Sequence, residues 1–302
     1  MKINNKMSAG LALLMLFFVG CTNGDQTEVS AQNVKPTETE VQVAGVKDAD
    51  IEAFLSASLK GNSNVVSLEV KITEKIPLKN MKDWTAYVVR LNAVVRAKPE
   101  DRTVKQKMIW FSNGVVISQD LVDLKTGESL KDTVSPELKP QHYKAQNLIY
   151  GNADAKHKVA IFSDPLCPFC RDFVPAAIEF MNKDANKFAV YYYHFPLPSI
   201  HPAAVTLVKA AAAAELKGYK NTVLDLYKVE VDPREKDVNK ILAAFNKVFK
   251  INIVPSDLES AAVLERYNSD EVIADEVMVQ GTPTMFFDNK QDKSKKLYEK
   301  AL

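Results

Sequence analysis

The apolar positions change period along the chain. Over residues 48–60, Ile51, Phe54, Leu55 and Leu59 recur at spacings of three and four, which predicts an amphipathic helix closed by Gly61. Four runs rich in β-branched residues follow: Val65–Ile76, Thr85–Ala97, Val104–Phe111 and Val115–Leu124. Turn signals at Pro77, Pro99-Glu100-Asp101 and Asn113-Gly114 separate them, so they read as the strands of an antiparallel sheet with a hairpin at Asn113-Gly114. One helix on four strands makes a small α+β domain over residues 44–134. Its sheet needs a second face or an edge covered, a role a partner subunit could fill. Residues 135–150, with Pro136 and Pro140, read as a connecting segment that is partly helical and semi-rigid.

From residue 151 the pattern becomes β-α-β. Lys158-Val159-Ala160-Ile161-Phe162 is a buried-strand run, Asp164-Pro165 a turn, and a helix starts at Cys167 with Phe169, Phe173, Ala177 and Phe180 on one face. Phe188–Phe195 is the next strand. Residues 201–279 form a helical insertion: an Ala-rich helix ending at Gly218, others near Thr222–Lys228 and Asp237–Phe249, one opened by a Ser256/Glu259 capping box, and one from Ser269 to about Val279. Thr284–Phe287 returns as a strand after Gly281-Thr282-Pro283, and a last helix lies near Lys295–Leu302.

The chain opens differently. Lys2 and Lys6 precede the uncharged run Leu11–Phe18, which is too short to span a bilayer, and Val19-Gly20-Cys21 ends it, the layout of an export signal over residues 1–21. A Cys directly after Gly at this point resembles the bacterial lipobox, which makes Cys21 a lipid anchor; an ordinary signal that Cys21 happens to follow exports the protein as well. Residues 22–43 are polar and lack aromatics, the composition of a flexible tether. Charge adds little, with 39 basic against 38 acidic side chains in 302 residues. That balance supplies no basic footprint for nucleic acid.

An exported protein can staple itself with disulfides, yet the chain contains three cysteines. With Cys21 as a lipid anchor two remain, both in Cys167-Pro168-Phe169-Cys170. A bridge across two residues removes little entropy from the unfolded chain, so stapling explains the pair poorly. A zinc site wants further ligands, and His157, His194 and His201 are isolated in sequence, so no metal is expected. A helix N-terminus stabilises a thiolate, which makes Cys167 the candidate nucleophile and Cys170, one turn deeper, the thiol that resolves a mixed disulfide. An incidental buried pair remains the alternative.

Phe162-Ser163-Asp164-Pro165-Leu166-Cys167-Pro168-Phe169-Cys170 resembles the strand-to-active-site segment of the thioredoxin-fold disulfide oxidoreductases of the bacterial envelope, particularly the DsbC and DsbG group of thiol-disulfide isomerases. Gly281-Thr282-Pro283-Thr284 resembles that group's cis-proline loop. The resemblance implies a cystatin-like α+β dimerisation domain followed by a thioredoxin-like α/β domain with inserted helices over 151–302. It implies that Cys167 is an exposed attacking thiolate, that Cys170 resolves, that Pro283 keeps the facing backbone open for a substrate strand, and that Thr282 tunes the pair. Asp164 is either a polar neighbour of the cysteines or turn chemistry. The redox centre is then the Cys167–Cys170 disulfide itself, with no separate cofactor. The implied partners are unfolded or misoxidised exported proteins in the bacterial periplasm, a membrane redox partner, and a second copy in a homodimer. Pro168-Phe169 lacks the His of strongly oxidising relatives such as DsbA, so a milder activation than a thiolate pKa of ~3.5 is expected. The first reading is an isomerase or reductase; an oxidase that donates the disulfide uses the same residues, and a lipid-anchored binding or chaperone module would use neither cysteine for redox work.

Overall fold

The structure, a computed structural model, describes residues 46–301 apart from Asn62, Asn80 and Asn221. The export signal, Cys21 and the tether lie outside the described residues. Helix α1 (Asp48–Lys60) buries Ile51 and Leu55, two of the residues whose spacing predicted it. The Asp50 carboxylate closes its first turn by accepting the Lys47 N–H at 3.0 Å. Strands β1 (Val65–Pro77), β2 (Thr85–Val95), β3 (Arg102–Ser112) and β4 (Ile117–Ser118) form an antiparallel sheet in that order.

Alternation along β2 and β3 explains how both faces of this sheet are covered. Tyr87, Val89, Leu91 and Trp110 point to the α1 side with Val70 of β1. Ala86, Val88, Ile109 and Phe111 point to the other side, where Leu121, Leu130, Val134 and Met278 pack on them. The second face is therefore covered by this chain itself, at the short helix α2 (Leu130–Thr133) and from the C-terminal half, rather than by a partner subunit. Strand β4 is much shorter than the expected 115–124. The Asn113 carboxamide oxygen accepts the N–H groups of Val115 and Val116, and the Asp123 carboxylate those of Lys125 and Thr126. These local side-chain turns take backbone donors that a ladder would need.

The segment expected as a connector contains two 3-10 turns, Pro140–His142 and Ala145–Asn147, and then a strand, β5 (Leu148–Tyr150). β5 pairs antiparallel with β7 (Phe188–His194), which runs parallel to β6 (His157–Ser163) with α3 (Pro168–Met181) between them in sequence. α4 (Pro202–Leu216), α5 (Thr222–Leu226), α6 (Val238–Phe249) and α7 (Ala261–Glu276) form the insertion. β8 (Thr284–Phe287) and β9 (Lys290–Gln291) complete a sheet ordered β5-β7-β6-β8-β9, and α8 (Leu297–Lys300) ends the chain. β6 is apolar without a break because it is buried on both faces: Val159 and Ile161 meet α3, whereas Ala160 and Phe162 meet Ile273 and Ala274 of α7.

The end of the insertion differs from the expected pair of helices. Pro255–Glu259 is a 3-10 turn, and Ser260 caps a single helix, α7, that continues through Ser269. Tyr267-Asn268-Ser269-Asp270 resembles a helix start, but Asp270 is buried inside α7, where its carboxylate accepts the His194 N–H at 2.9 Å and the Asn147 Nδ2–H at 2.7 Å.

The N-terminal sheet is joined directly to the C-terminal half. Lys107 of β3, its side chain 6% exposed, donates to the Asp275 carbonyl at 2.6 Å and pairs with the Asp275 carboxylate at 2.9 Å. A cation at the last turn of α7 also complements that helix's dipole. Lys139 pairs with Glu74 of β1 at 3.3 Å, and residues 43–302 cluster as one unit.

Two buried titratable groups beside α7 make acid stability predictable. Burial, helped by the Arg266 charge, pulls His194 down to about 3, and burial pushes Asp270 up to about 6. Unfolded His194 takes up a proton that the folded chain refuses, so its contribution is lost as pH falls through 6.5 toward 3, on the order of 5 kcal/mol. Asp270 has the opposite sign: its ionised form costs stability above pH 6, and about 3 kcal/mol is regained as pH falls from 6 to 3.8. Urea midpoints measured from pH 7 to 4 should fall for the native chain. They should level off or rise for His194→Gln, and a parallel fall in both would refute the assignment.

Candidate active site

β6 delivers its last residue, Ser163, to the mouth of the turn Asp164-Pro165-Leu166, and α3 begins beyond it. The turn is held by Asp164, which is fully buried. Its carboxylate accepts the Leu166 N–H at 2.7 Å and the Leu197 N–H at 2.8 Å, and meets His201 Nδ1 at 3.0 Å. Of the two roles open to Asp164 from sequence, the hydrogen bonds show turn chemistry. They also fasten the loop that carries Ile200.

Cys167 occupies the N-cap position of α3, its carbonyl accepting the N–H groups of Cys170 and Arg171 at 3.0 Å each. Pro168 follows at the first helical position, where a missing N–H costs nothing. The Cys167 sulfur lies at the positive end of α3 and 3.8 Å from the Thr282 carbonyl oxygen. The Thr282–Pro283 peptide bond is cis, Pro283 is buried, and Thr284 Oγ1 donates to the Gly281 carbonyl at 2.7 Å. Two segments more than a hundred residues apart thus meet at the sulfur.

Cys167 is 5% exposed rather than open to solvent. The Gly281–Pro283 loop covers one side of it, and the sulfur packs into the core cluster with Cys170, Val174 and Met285. The adjoining Phe169 is 74% exposed and Pro168 also faces solvent. Cys170, one turn into α3, is wholly buried, and both cysteines are free thiols.

Burial pushes the Cys170 thiol up to about 11, opposed by the polar groups nearest it, the hydroxyls of Ser163 and Thr282 and the Asp164 backbone N–H. Thr282 Oγ1 is buried without a hydrogen-bond partner among the described residues. Arg171 ties the active-site turn to the insertion: its Nε donates to the Pro165 carbonyl at 2.9 Å and its guanidinium to the Val229 carbonyl at 2.5 Å. Sequence reasoning missed Ser163, Arg171 and two buried tyrosines behind the turn: Ser163 Oγ lies 2.7 Å from Tyr227 OH, which lies 2.9 Å from Tyr192 OH. Ser163 stands within the quoted motif, but nothing in the spacing of Tyr192 or Tyr227 signals the site. Among the described residues no group of three or more His, Cys, Asp or Glu side chains is gathered as a metal would need.

Residues 144–301, just over half of the chain, match the thioredoxin family model Thioredoxin_4, described as thioredoxin. The chain belongs to the thioredoxin family. It is 26% identical over 144 residues to the curated protein "Na(+)/H(+) antiporter NhaA 1" of Mycolicibacterium gilvum (strain PYR-GCK), which covers 47% of this chain. The chain spans about a quarter of that relative's length, the match covering 23% of it. No described helix is long and apolar enough to cross a membrane. Among solved structures, a thioredoxin-like oxidoreductase from Silicibacter pomeroyi DSS-3 is similar at 18% identity and a TM-score of 0.41, over 53% of this chain and 92% of its own. BdbD from Bacillus subtilis is similar at 17% identity and a TM-score of 0.40, over 56% and 96%. A putative protein-disulfide isomerase from Pseudomonas syringae is similar at 14% identity and a TM-score of 0.42, over 49% and 90%.

Proposed function

We propose that this chain is a thiol-disulfide oxidoreductase that reduces and isomerises the disulfides of exported proteins in the bacterial envelope, in the manner of the DsbC and DsbG group. The observation that carries the reading is the Cys167 sulfur at the N-cap of α3, facing the cis Thr282–Pro283 peptide with Cys170 one turn below. Cys167 as thiolate attacks a substrate disulfide and forms a mixed disulfide; Cys170 then displaces the substrate thiol, or a second substrate thiol does so and leaves a new pairing. The pair needs no separate cofactor. Exposed Phe169 and Ile200 offer apolar surface suited to unfolded or misoxidised chains. The reducing direction is supported by Pro168-Phe169, which brings no imidazole to the thiolate, and implies a membrane redox partner that restores the dithiol.

The signal-like residues 1–20 and Cys21 support a periplasmic, lipid-anchored location. Dimerisation through the N-terminal sheet is supported by β1, a 13-residue edge strand whose strand partner among the described residues is β2. On sedimentation the chain is expected to run as a dimer, and a monomer would remove the cleft shared between two arms. The direction is tested by titrating the full chain against glutathione buffers while assaying refolding of a scrambled-disulfide protein. A potential below about −150 mV with efficient unscrambling is expected. A potential near −120 mV without unscrambling would reverse the direction, and no redox transition would overturn the reading.

A further inference from the structure

A groove with a polar rim joins the cis-proline loop to the N-terminal sheet. Its cavity of about 170 Å³ is walled by three separate stretches of chain: β3 with the α2 segment, the residues from Met278 to Gly281, and β9 with the turn that follows it. Ile109 is buried and Val134 and Met278 are half-buried, and these three give the groove an apolar floor. Lys131 and Asp132 stand on the α2 wall and Lys293 on the β9 wall, all three exposed to solvent.

The groove begins at the loop that faces the catalytic sulfur. Gly281 lines it, and the next residue, Thr282, places its carbonyl oxygen 3.8 Å from the Cys167 sulfur. A Cβ built on Gly281 would meet nothing within 4 Å, so this end of the groove is unfilled. An extended chain advances roughly 3.3 Å per residue. A substrate whose cysteine is joined to Cys167 therefore brings a residue about two to four places along its chain into the groove. Charge decides which residue suits it. Two lining side chains are cationic and one, Asp132, is anionic. Neither lysine ammonium has an ion-pair partner among the described residues. Asp120 and Asp292 do not line the groove, and their carboxylates are engaged elsewhere: Asp120 by the Ser129 hydroxyl and the Leu121 N–H, Asp292 by the Ser294 hydroxyl and the Leu297 N–H.

We propose that this groove is a subsite for the substrate chain beside the reacting cysteine, with Lys131 and Lys293 as specificity-determining residues that favour an acidic side chain there. The inference deepens the dithiol reading above and rests on it. The apolar floor accommodates the methylenes of a glutamate and the two ammoniums its carboxylate.

The test uses the full-length reduced chain and synthetic peptides whose single cysteine is disulfide-bonded to an aromatic thiol that absorbs visibly when released. The cysteine pair closes its own bond and loses two electrons; the peptide disulfide gains them and leaves as two thiols, which take up the protons the cysteines give up. Glu, Gln or Lys is placed two, three or four residues from the peptide cysteine, on one side or the other. At low salt the second-order rate constant should be about tenfold higher for Glu than for Lys, with Gln between them, the size of two weak surface ion pairs made or opposed. The preference should hold on one side of the cysteine and shrink to about twofold at roughly 0.5 M salt. In the double variant Lys131→Gln, Lys293→Gln the Glu-to-Lys ratio should fall to about twofold or less, and in Lys131→Glu, Lys293→Glu the order should invert. A ratio that either double variant leaves intact overturns the proposal, including the case in which all three peptides slow alike, as a structural effect alone would make them. Release at one rate whatever the charge overturns the proposal and leaves the dithiol reading standing. Absence of release from every peptide with the unaltered chain overturns that reading, and this inference with it.

Discussion

Cys167→Ser is expected to lower turnover of a disulfide substrate by at least roughly a thousandfold, because a serine hydroxyl is not ionised near neutral pH and is a poor nucleophile toward sulfur. The neighbouring replacement behaves differently. Cys170→Ser keeps the attacking sulfur and removes the one that resolves, so the substrate should remain attached to Cys167 and be visible by mass as a mixed disulfide. Two geometric facts underlie the asymmetry: Cys167, its sulfur facing the Thr282 carbonyl, keeps a small exposure at the start of α3, whereas Cys170 is wholly buried one turn deeper. Turnover of Cys167→Ser within tenfold of the native rate, or an adduct on Cys170, would reverse the two roles. Thermal midpoints should change little in either variant, since sulfur and oxygen differ by less than a methylene in volume.

The largest expected loss of stability comes from a residue with no side chain. Gly151, just after β5, has φ +80, and a Cβ built there would lie 1.8 Å from the Phe188 carbonyl oxygen and 2.9 Å from its carbon. Both atoms belong to the backbone that starts β7, so no side chain can swing aside. Gly151→Ala should therefore cost more than about 3 kcal/mol, read as a fall of roughly 10 °C in thermal midpoint. Gly127→Ala is the control, because φ is +72 there and nothing lies within 4 Å of the added carbon. It should lose only the 1–2 kcal/mol or so of an unfavourable backbone region. Equal losses at the two positions would mean that β7 yields to the added carbon.

Much of this architecture is written in periodicity. The spacing of Ile51 and Leu55 marks α1, the alternation through Ala86–Leu91 marks a strand covered on two faces, and the unbroken apolar run of β6 marks a central parallel strand. The cysteine motif is legible for a related reason: Cys167, the start of α3 and Cys170 all fall within four residues. What the sequence hid depends on competition or on distance. β4 shortened because Asn113 and Asp123 captured local N–H groups, and the Ser269 start dissolved because Asp270 found a buried partner in β7. The contacts among Ser163, Tyr227 and Tyr192 were invisible because these residues are brought together only by tertiary folding, and tyrosines in a strand and a helical insertion look like ordinary core residues.

Met278 gives the N-terminal sheet an influence at the cysteines that distance alone would deny it. Its side chain packs on the underside of the sheet, and Thr282, whose carbonyl lies 3.8 Å from the Cys167 sulfur, follows four residues later. The loop that faces the Cys167 sulfur is thus moored at its far end to the N-terminal sheet. Cutting the chain at residue 144, the start of its thioredoxin half, would lay the Met278 contact bare and release that mooring. An excised thioredoxin half should tend to self-associate through the uncovered patch and hold a less sharply defined Gly281–Pro283 loop.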